Sequence, residues 1–386
     1  MIGVAVAGFG YWGPTVARNL ASLPGVRVER IADPDAARRA LAARLFPAAR
    51  VDGTLDSALA DPAVAAVAIA TPVATHHALA RAALDAGRHV LVEKPMTATL
   101  AQARDLVAAA ARARRVLAVD HPFAHAPAVE RLHAMVARSE LGRLRHYDST
   151  RANLGPFHAD VDVVGDLAVH DLSILDRLTG RSPDRVAAIA AGDGRIAHLM
   201  LHYDDGLLAH LHLSWLSPLK LRRVSLAGER ALVVYDEGEP AQPLRVFAGG
   251  DVDGSTGGEG HGASDGEGRG SPRGEGRGAS GDPDGSTGGG ASGPDGRVAN
   301  QRRIAYRVGD MVAPRLEIDE PVRRVCAAFV DAVAGGAPPR CDGAAGLRTV
   351  RVLDAARRSL AAGGATVAIG APDARTAAPV AGPGAP

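Results

Sequence analysis

The chain has 386 residues, 46% of them hydrophobic and 23% charged, with a formal net charge of +1. That balance excludes a wholly disordered chain, and two cysteines exclude a disulfide-stapled miniature. The near-neutral charge leaves no basic footprint for nucleic acid, and no apolar run approaches the ~20 residues of a membrane span.

The first 120 residues alternate strand and helix. The apolar run 2–7 ends in glycines and reads as a buried strand with no basic leader before it, which predicts a cytoplasmic protein. A helix is predicted over 15–23, stopped by Pro24 and Gly25, then a strand over 26–32 and a helix over 34–45. Strands follow at 64–70, 89–92 and 116–119, separated by helices at 75–86 and 100–114. Repeated strand–helix units imply a parallel sheet with helices on both faces.

The pattern changes after His121. A helix at 126–138 precedes strand-like runs at 144–152, 186–191, 197–203, 207–216, 223–227 and 231–235, with one helical segment at 166–178. Short turns between them suggest an antiparallel sheet. Two amphipathic helices, 320–333 and 346–360, are placed to pack back on the body. The predicted fold is α/β: an N-terminal doubly wound Rossmann sheet over 1–121, then an α+β domain over 122–370 with a large, mostly antiparallel sheet.

Residues 249–296 stand apart. They hold 20 of the 46 glycines and, with nine acids against three arginines, carry a charge of −6. Such a segment buries too little apolar surface to offset its ordering entropy, so a disordered insertion is predicted there, and a disordered tail over 371–386. Gly262–Gly266 matches G-x-S-x-G, but inside this insertion it lacks the strand and helix of a nucleophile elbow.

The first motif with chemistry is Gly8-Phe9-Gly10-Tyr11-Trp12-Gly13, a G-x-G-x-x-G between a strand and a helix. Gly8 permits the tight turn, Gly10 lets a pyrophosphate approach, and Gly13 lets helix and strand pack closely. Asp33, at the end of the second strand, is positioned to bind ribose hydroxyls and repel a 2′-phosphate, which favours NAD; Arg38 and Arg39 keep NADP open.

The second is Glu93-Lys94-Pro95, at a strand end where a doubly wound sheet binds its ligands. Lys94 and Lys220 are the only lysines among 44 basic residues. A retained lysine marks a position where the planar, permanently charged arginine does not substitute. The third is Asp166 with His170, four apart and so on one face of a helix, where a carboxylate can orient an imidazole as general base. The histidines at 121, 125, 198, 202, 210 and 212 show no clear ligand spacing, the cysteines form no cluster, and no metal is predicted.

Together, Gly-Phe-Gly-Tyr-Trp-Gly-Pro at 8–14, Ala-Thr-Pro-Val-Ala-Thr-His at 70–76, Glu-Lys-Pro at 93–95 and Asp-Leu-Ala-Val-His-Asp-Leu-Ser at 166–173 resemble the Gfo/Idh/MocA oxidoreductases, in the branch of nucleotide-sugar 3-dehydrogenases. The resemblance runs from residue 1 to about 369. It implies hydride transfer between a nicotinamide and a secondary alcohol or ketone of a sugar, cyclitol or nucleotide sugar. Lys94, Asp166 and His170 would be catalytic. Thr71, Pro72, His76 and Glu93 would join the glycine loop around the cofactor. Arg151, Asn153, Asp162 and Lys220 would face the substrate. It also implies a homo-oligomer, a dimer or tetramer, and leaves open an NAD-dependent glycosidase or a non-catalytic cofactor-binding scaffold. Gly165 and Asp162 depart from the branch pattern, which has Trp and Asn there, and His121–His125 replaces a segment often ending in Tyr. These departures bear on the substrate more than on the reaction.

Overall fold

Two β-sheets organise the described residues. The computed structural model describes residues 1–155, 161–249, 310–317 and 319–370. The insertion beyond Gly249, with its G-x-S-x-G match, and the 371–386 tail lie outside the described residues.

The N-terminal sheet comprises β1 (Ile2–Ala7), β2 (Val26–Ala32), β3 (Arg50–Asp52), β4 (Ala66–Ile69), β5 (His89–Glu93) and β6 (Leu117–Asp120). All pairs are parallel, in the order β3-β2-β1-β4-β5-β6. Helices α1 (Gly13–Ala21), α2 (Ala36–Leu45), α3 (Asp56–Ala60), α4 (Val73–Asp85) and α5 (Leu100–Ala113) make the crossovers. β1 and β4 are apolar at nearly every position because both faces of a parallel sheet are covered. The strand order reverses between β1 and β4, which opens a crevice at their C-terminal ends.

A short 3-10 turn, Pro122–His125, and helix α6 (Pro127–Ala137) lead into the second sheet. Its strands are β7 (Leu144–Leu154), β8 (Arg185–Ala190), β9 (Ile196–His202), β10 (Leu208–Ser214), β11 (Leu216–Gly228), β12 (Ala231–Asp236), β13 (Leu244–Ala248), β14 (Met311–Val312) and β15 (Val367–Ala368). Among the described residues only β7 and β10 pair in parallel; every other pair is antiparallel. β9 and β10 alternate buried and partly exposed residues, as a sheet covered on one face requires. The covering helices are α7 (Val169–Thr179) and α9 (Gly343–Ala361).

Helix α8 (Pro321–Val333) completes the N-terminal layer. Val322, Val325, Cys326 and Phe329 join the core made by Val16 and Leu20 of α1. Its entry is clasped by Glu320, which accepts from both Arg18 nitrogens (2.7 and 3.1 Å) and from Asn19 Nδ2 (2.9 Å).

Candidate active site

The glycine loop is built as its spacing demands. Gly8 has φ +89°, and a Cβ there would lie 2.6 Å from the Ala70 carbonyl oxygen. A Cβ on Gly13 would lie 2.3 Å from the Gly8 carbonyl oxygen, so only glycine lets α1 start this close to β1. At Gly10 a Cβ would meet only the Arg38 guanidinium, at 3.5 Å; the space it would fill belongs to the cleft. Asp33 holds the loop from below: one oxygen accepts from Phe9 N (2.7 Å), the other from Asp35 N (2.8 Å). The Arg38 guanidinium lies 3.8 Å from the same carboxylate. Phe9 is buried beneath the loop, while Tyr11 and Trp12, stacked edge to face, stand on its rim.

The loop opens onto a cleft of about 870 Å³ that runs along the switch point. Gly8, Gly10, Tyr11, Trp12, Asp33, Thr71, Pro72, His76, Glu93, Lys94 and Asp166 all line it. The positive φ, the close approaches and the anchored acid fit a dinucleotide along this wall. His76 ties two of its segments together, with Nδ1 3.0 Å from the Pro95 carbonyl and Nε2 2.8 Å from that of Thr71.

The cleft ends at an ion pair. Lys94, one residue past β5, donates from Nζ to Asp166 Oδ1 (2.8 Å) and to the Asp166 carbonyl (3.2 Å). Asp166 sits in a π-helical turn, Val164–Ala168, that feeds α7. Its Oδ2 accepts from the indole Nε1 of Trp215 (3.0 Å). His170 follows one turn later, its ring edge-on to Phe123 at 4.6 Å. Burial and the nearby Lys94 and Arg151 charges hold this imidazole well below the usual histidine range, so it is neutral at pH 7. Its Nδ1 is buried and has no hydrogen-bond partner among the described residues. Asp166 does not orient the ring through Nδ1; its carboxylate accepts from Lys94 and Trp215.

The four residues expected at the substrate do not line this cleft. Arg151 is buried under Phe123, its guanidinium 4.4 Å from the ring centroid and bonded to Asp171 (2.9 Å), which also accepts from the Tyr147 hydroxyl. Asp162 caps the π-turn by accepting from Gly165 N (2.6 Å) and pairs with Arg357 (3.0 Å). Asn153 is partly buried near the end of β7, and Lys220 is exposed on β11.

Four residues near the site carry no role in the sequence-based expectation. Trp215 and Phe123 hold Asp166 and His170, and only aromatic scarcity could have marked them. The chain has two tryptophans, and one lines the cleft while the other bonds its acid. Asp120 and His121 are buried at the end of β6. Burial and the Glu93 charge raise the Asp120 carboxyl well above the carboxylate range, and burial lowers His121 to about 3.

Known proteins resemble this chain. Residues 2–121 match the model of an oxidoreductase family with an NAD-binding Rossmann fold, GFO_IDH_MocA, and residues 129–234 match a GFO/IDH/MocA C-terminal domain. The chain is 32% identical over 219 residues to UDP-N-acetylglucosamine 3-dehydrogenase of Acidithiobacillus ferrooxidans, covering 54% of this chain and 66% of that protein. It is 31% identical to an uncharacterized oxidoreductase of Rhizobium meliloti, covering 55% of this chain and 67% of that one. Matches to the first curated relatives thus span less than two thirds of their length, 66% and, for an Escherichia coli oxidoreductase, 42%. A solved protein of gentamicin A biosynthesis in complex with NAD superposes with TM-score 0.71 at 26% identity, covering 96% of this chain and 97% of that one. The solved Acidithiobacillus enzyme superposes with TM-score 0.73 at 24% identity, covering 94% and 99%, a likeness of fold.

Proposed function

The chain belongs to the Gfo/Idh/MocA oxidoreductases, and from that premise we propose that it is an NAD-dependent dehydrogenase or reductase acting on a secondary alcohol or ketone of a sugar, cyclitol or nucleotide sugar. The observation that carries this reading is the Lys94–Asp166 pair at the end of the glycine-loop cleft. Glycine positions 8, 10 and 13, Asp33, Thr71 and Glu93 would hold the cofactor, which supplies the two-electron acceptor or donor when bound.

The chain's own residues handle the proton. In oxidation the neutral His170 takes the hydroxyl proton, and the Lys94 ammonium donates a hydrogen bond to the oxygen as negative charge develops there. In reduction the protonated imidazole returns that proton. The Arg151 guanidinium lies against the Phe123 ring, and its charge helps keep the imidazole unprotonated. Because that burden lowers the His170 pKa, oxidation keeps its rate from pH 8 down past pH 6.5, and its acid limb falls lower. A limb centred on the ordinary histidine value would contradict a buried base.

His170→Ala and Lys94→Ala, assayed by NADH absorbance against sugars and nucleotide sugars, should each lose roughly 100-fold or more in turnover. NAD⁺ affinity by calorimetry should stay within a few-fold. Wild-type turnover in both variants would sink the reading, and sugar release without net NADH would point to the glycosidase chemistry.

A further inference from the structure

We infer that Trp215 is a positioning residue for the reaction: its indole N–H holds the Asp166 carboxylate in the orientation that fixes Lys94. The inference rests on the reading of Lys94 given above and extends it to a residue on the other sheet.

The geometry is a three-member chain. Trp215 Nε1 donates to Asp166 Oδ2 at 3.0 Å, and Asp166 Oδ1 accepts from Lys94 Nζ at 2.8 Å. The terminal torsion of an aspartate is soft and two-fold, so a lysine alone does not select one carboxylate orientation. A donor on the second oxygen does. An indole suits the task because it has one donor and no acceptor, and its plane is slow to reorient when packed. Trp215 is buried, 5% exposed, so its N–H is costly to leave unpaired.

The indole is placed by the second sheet, not by the cleft. Trp215 occupies the junction of β10 and β11; its backbone N–H donates to the Arg195 carbonyl (2.9 Å), and the next amide, of Leu216, donates to Ser214 Oγ (3.1 Å). Lys94 is delivered by β5 of the first sheet. Trp215 therefore sets, through Asp166, how the lysine of one layer stands against the other. Without the indole bond Asp166 Oδ2 loses that donor, and Nζ, still held at the Asp166 carbonyl, faces a carboxylate less firmly oriented.

Two replacements separate the bond from the packing. Trp215→Phe removes the N–H and part of the ring; 3-benzothienylalanine at position 215 keeps the bicyclic shape and removes only the N–H. Three readouts apply to the full chain: steady-state kinetics with NAD⁺ affinity, acylation of Lys94 followed by mass spectrometry, and the cycle with Asp166→Asn. The exposed Lys220 is an internal standard for the acylation.

Both replacements should lower kcat by about 10- to 100-fold, as loss of a hydrogen bond to a charged group does, with NAD⁺ affinity held within about threefold. Lys94 acylation should rise several-fold relative to Lys220. In the Asp166→Asn background, Trp215→Phe should cost less than about threefold more, because the two act in series. Wild-type turnover and unchanged Lys94 acylation in the benzothienyl protein would overturn the inference, as would fully additive losses in the cycle. Failure of the parent reading looks different: Lys94→Ala would stay active while Lys94 acylation still tracked Trp215.

Discussion

Glu93 and Asp120 pair across neighbouring parallel strands, and both are buried. Two carboxyl groups in one apolar place do not both ionise readily. Burial raises Glu93 to about 7 from 4.5, against the opposing pull of Lys94, and raises Asp120 as well. The consequence for stability has a definite sign. Below pH 4.5 the folded and unfolded chains both hold the Glu93 proton. Between about 4.5 and 7 the unfolded chain releases it while the folded chain keeps it, so the Glu93 contribution to stability falls across that window. The loss is on the order of 3 kcal/mol. Asp120→Asn removes the like charge and offers an amide donor. It should raise Tm at pH 8 and flatten the fall in Tm between pH 5 and 7.5. A wild-type Tm that does not fall across that window would show that the pair carries no such strain.

Elements with long, contiguous signals were readable from the residues. β1 and β5 are apolar runs, α5 and α9 have helical periodicity, and each lies within a few residues of its expected bounds. Elements whose stability comes from neighbours were not. β3 has the sequence Arg-Val-Asp, and β14 and β15 are two-residue rungs. β11 continues through Pro218 with a register shift between Leu216 and Leu221, so its one strand read as the end of a preceding strand and a separate short one. The site shows the same division. The glycine loop, Asp33 and Lys94 are set by local turns and strand ends. The relation of Asp166 to His170 is not, because the π-turn breaks the helical phase on which their spacing was read. The local parts give a sharp expectation. Gly13→Ala must push the Gly8 carbonyl from a 2.3 Å contact, so the loop deforms where the pyrophosphate would lie. NAD⁺ affinity by calorimetry should fall about tenfold or more, with Tm lowered by a few degrees. Unchanged affinity would mean that the loop is not the phosphate cradle.

At the scale of the molecule, α9 ties the two cores together: Leu347 and Val350 pack into the first, Val352, Leu353, Ala355 and Ala356 into the second. The sheet that carries Trp215 and the strand that carries Lys94 are thus braced by one helix. The opposite edge of the second sheet is formed by β14. There the chain departs after β13 and returns at β14 on adjacent rungs, Phe247 facing Met311 and Val246 facing Val312. Ala248 N donates to the Asp310 carbonyl at 3.0 Å, so the two ends already stand as a hairpin would hold them. Replacing 249–309 with an Asn-Gly turn should therefore preserve the β13–β14 ladder, and the shorter closure costs no more entropy than the longer one. The excised protein is expected to keep its Tm within about 3 °C, on the order of a 1 kcal/mol change for a chain of this size, and its NAD⁺ affinity within about twofold. A tenfold loss of affinity or turnover on excision would instead assign the segment a part in the site.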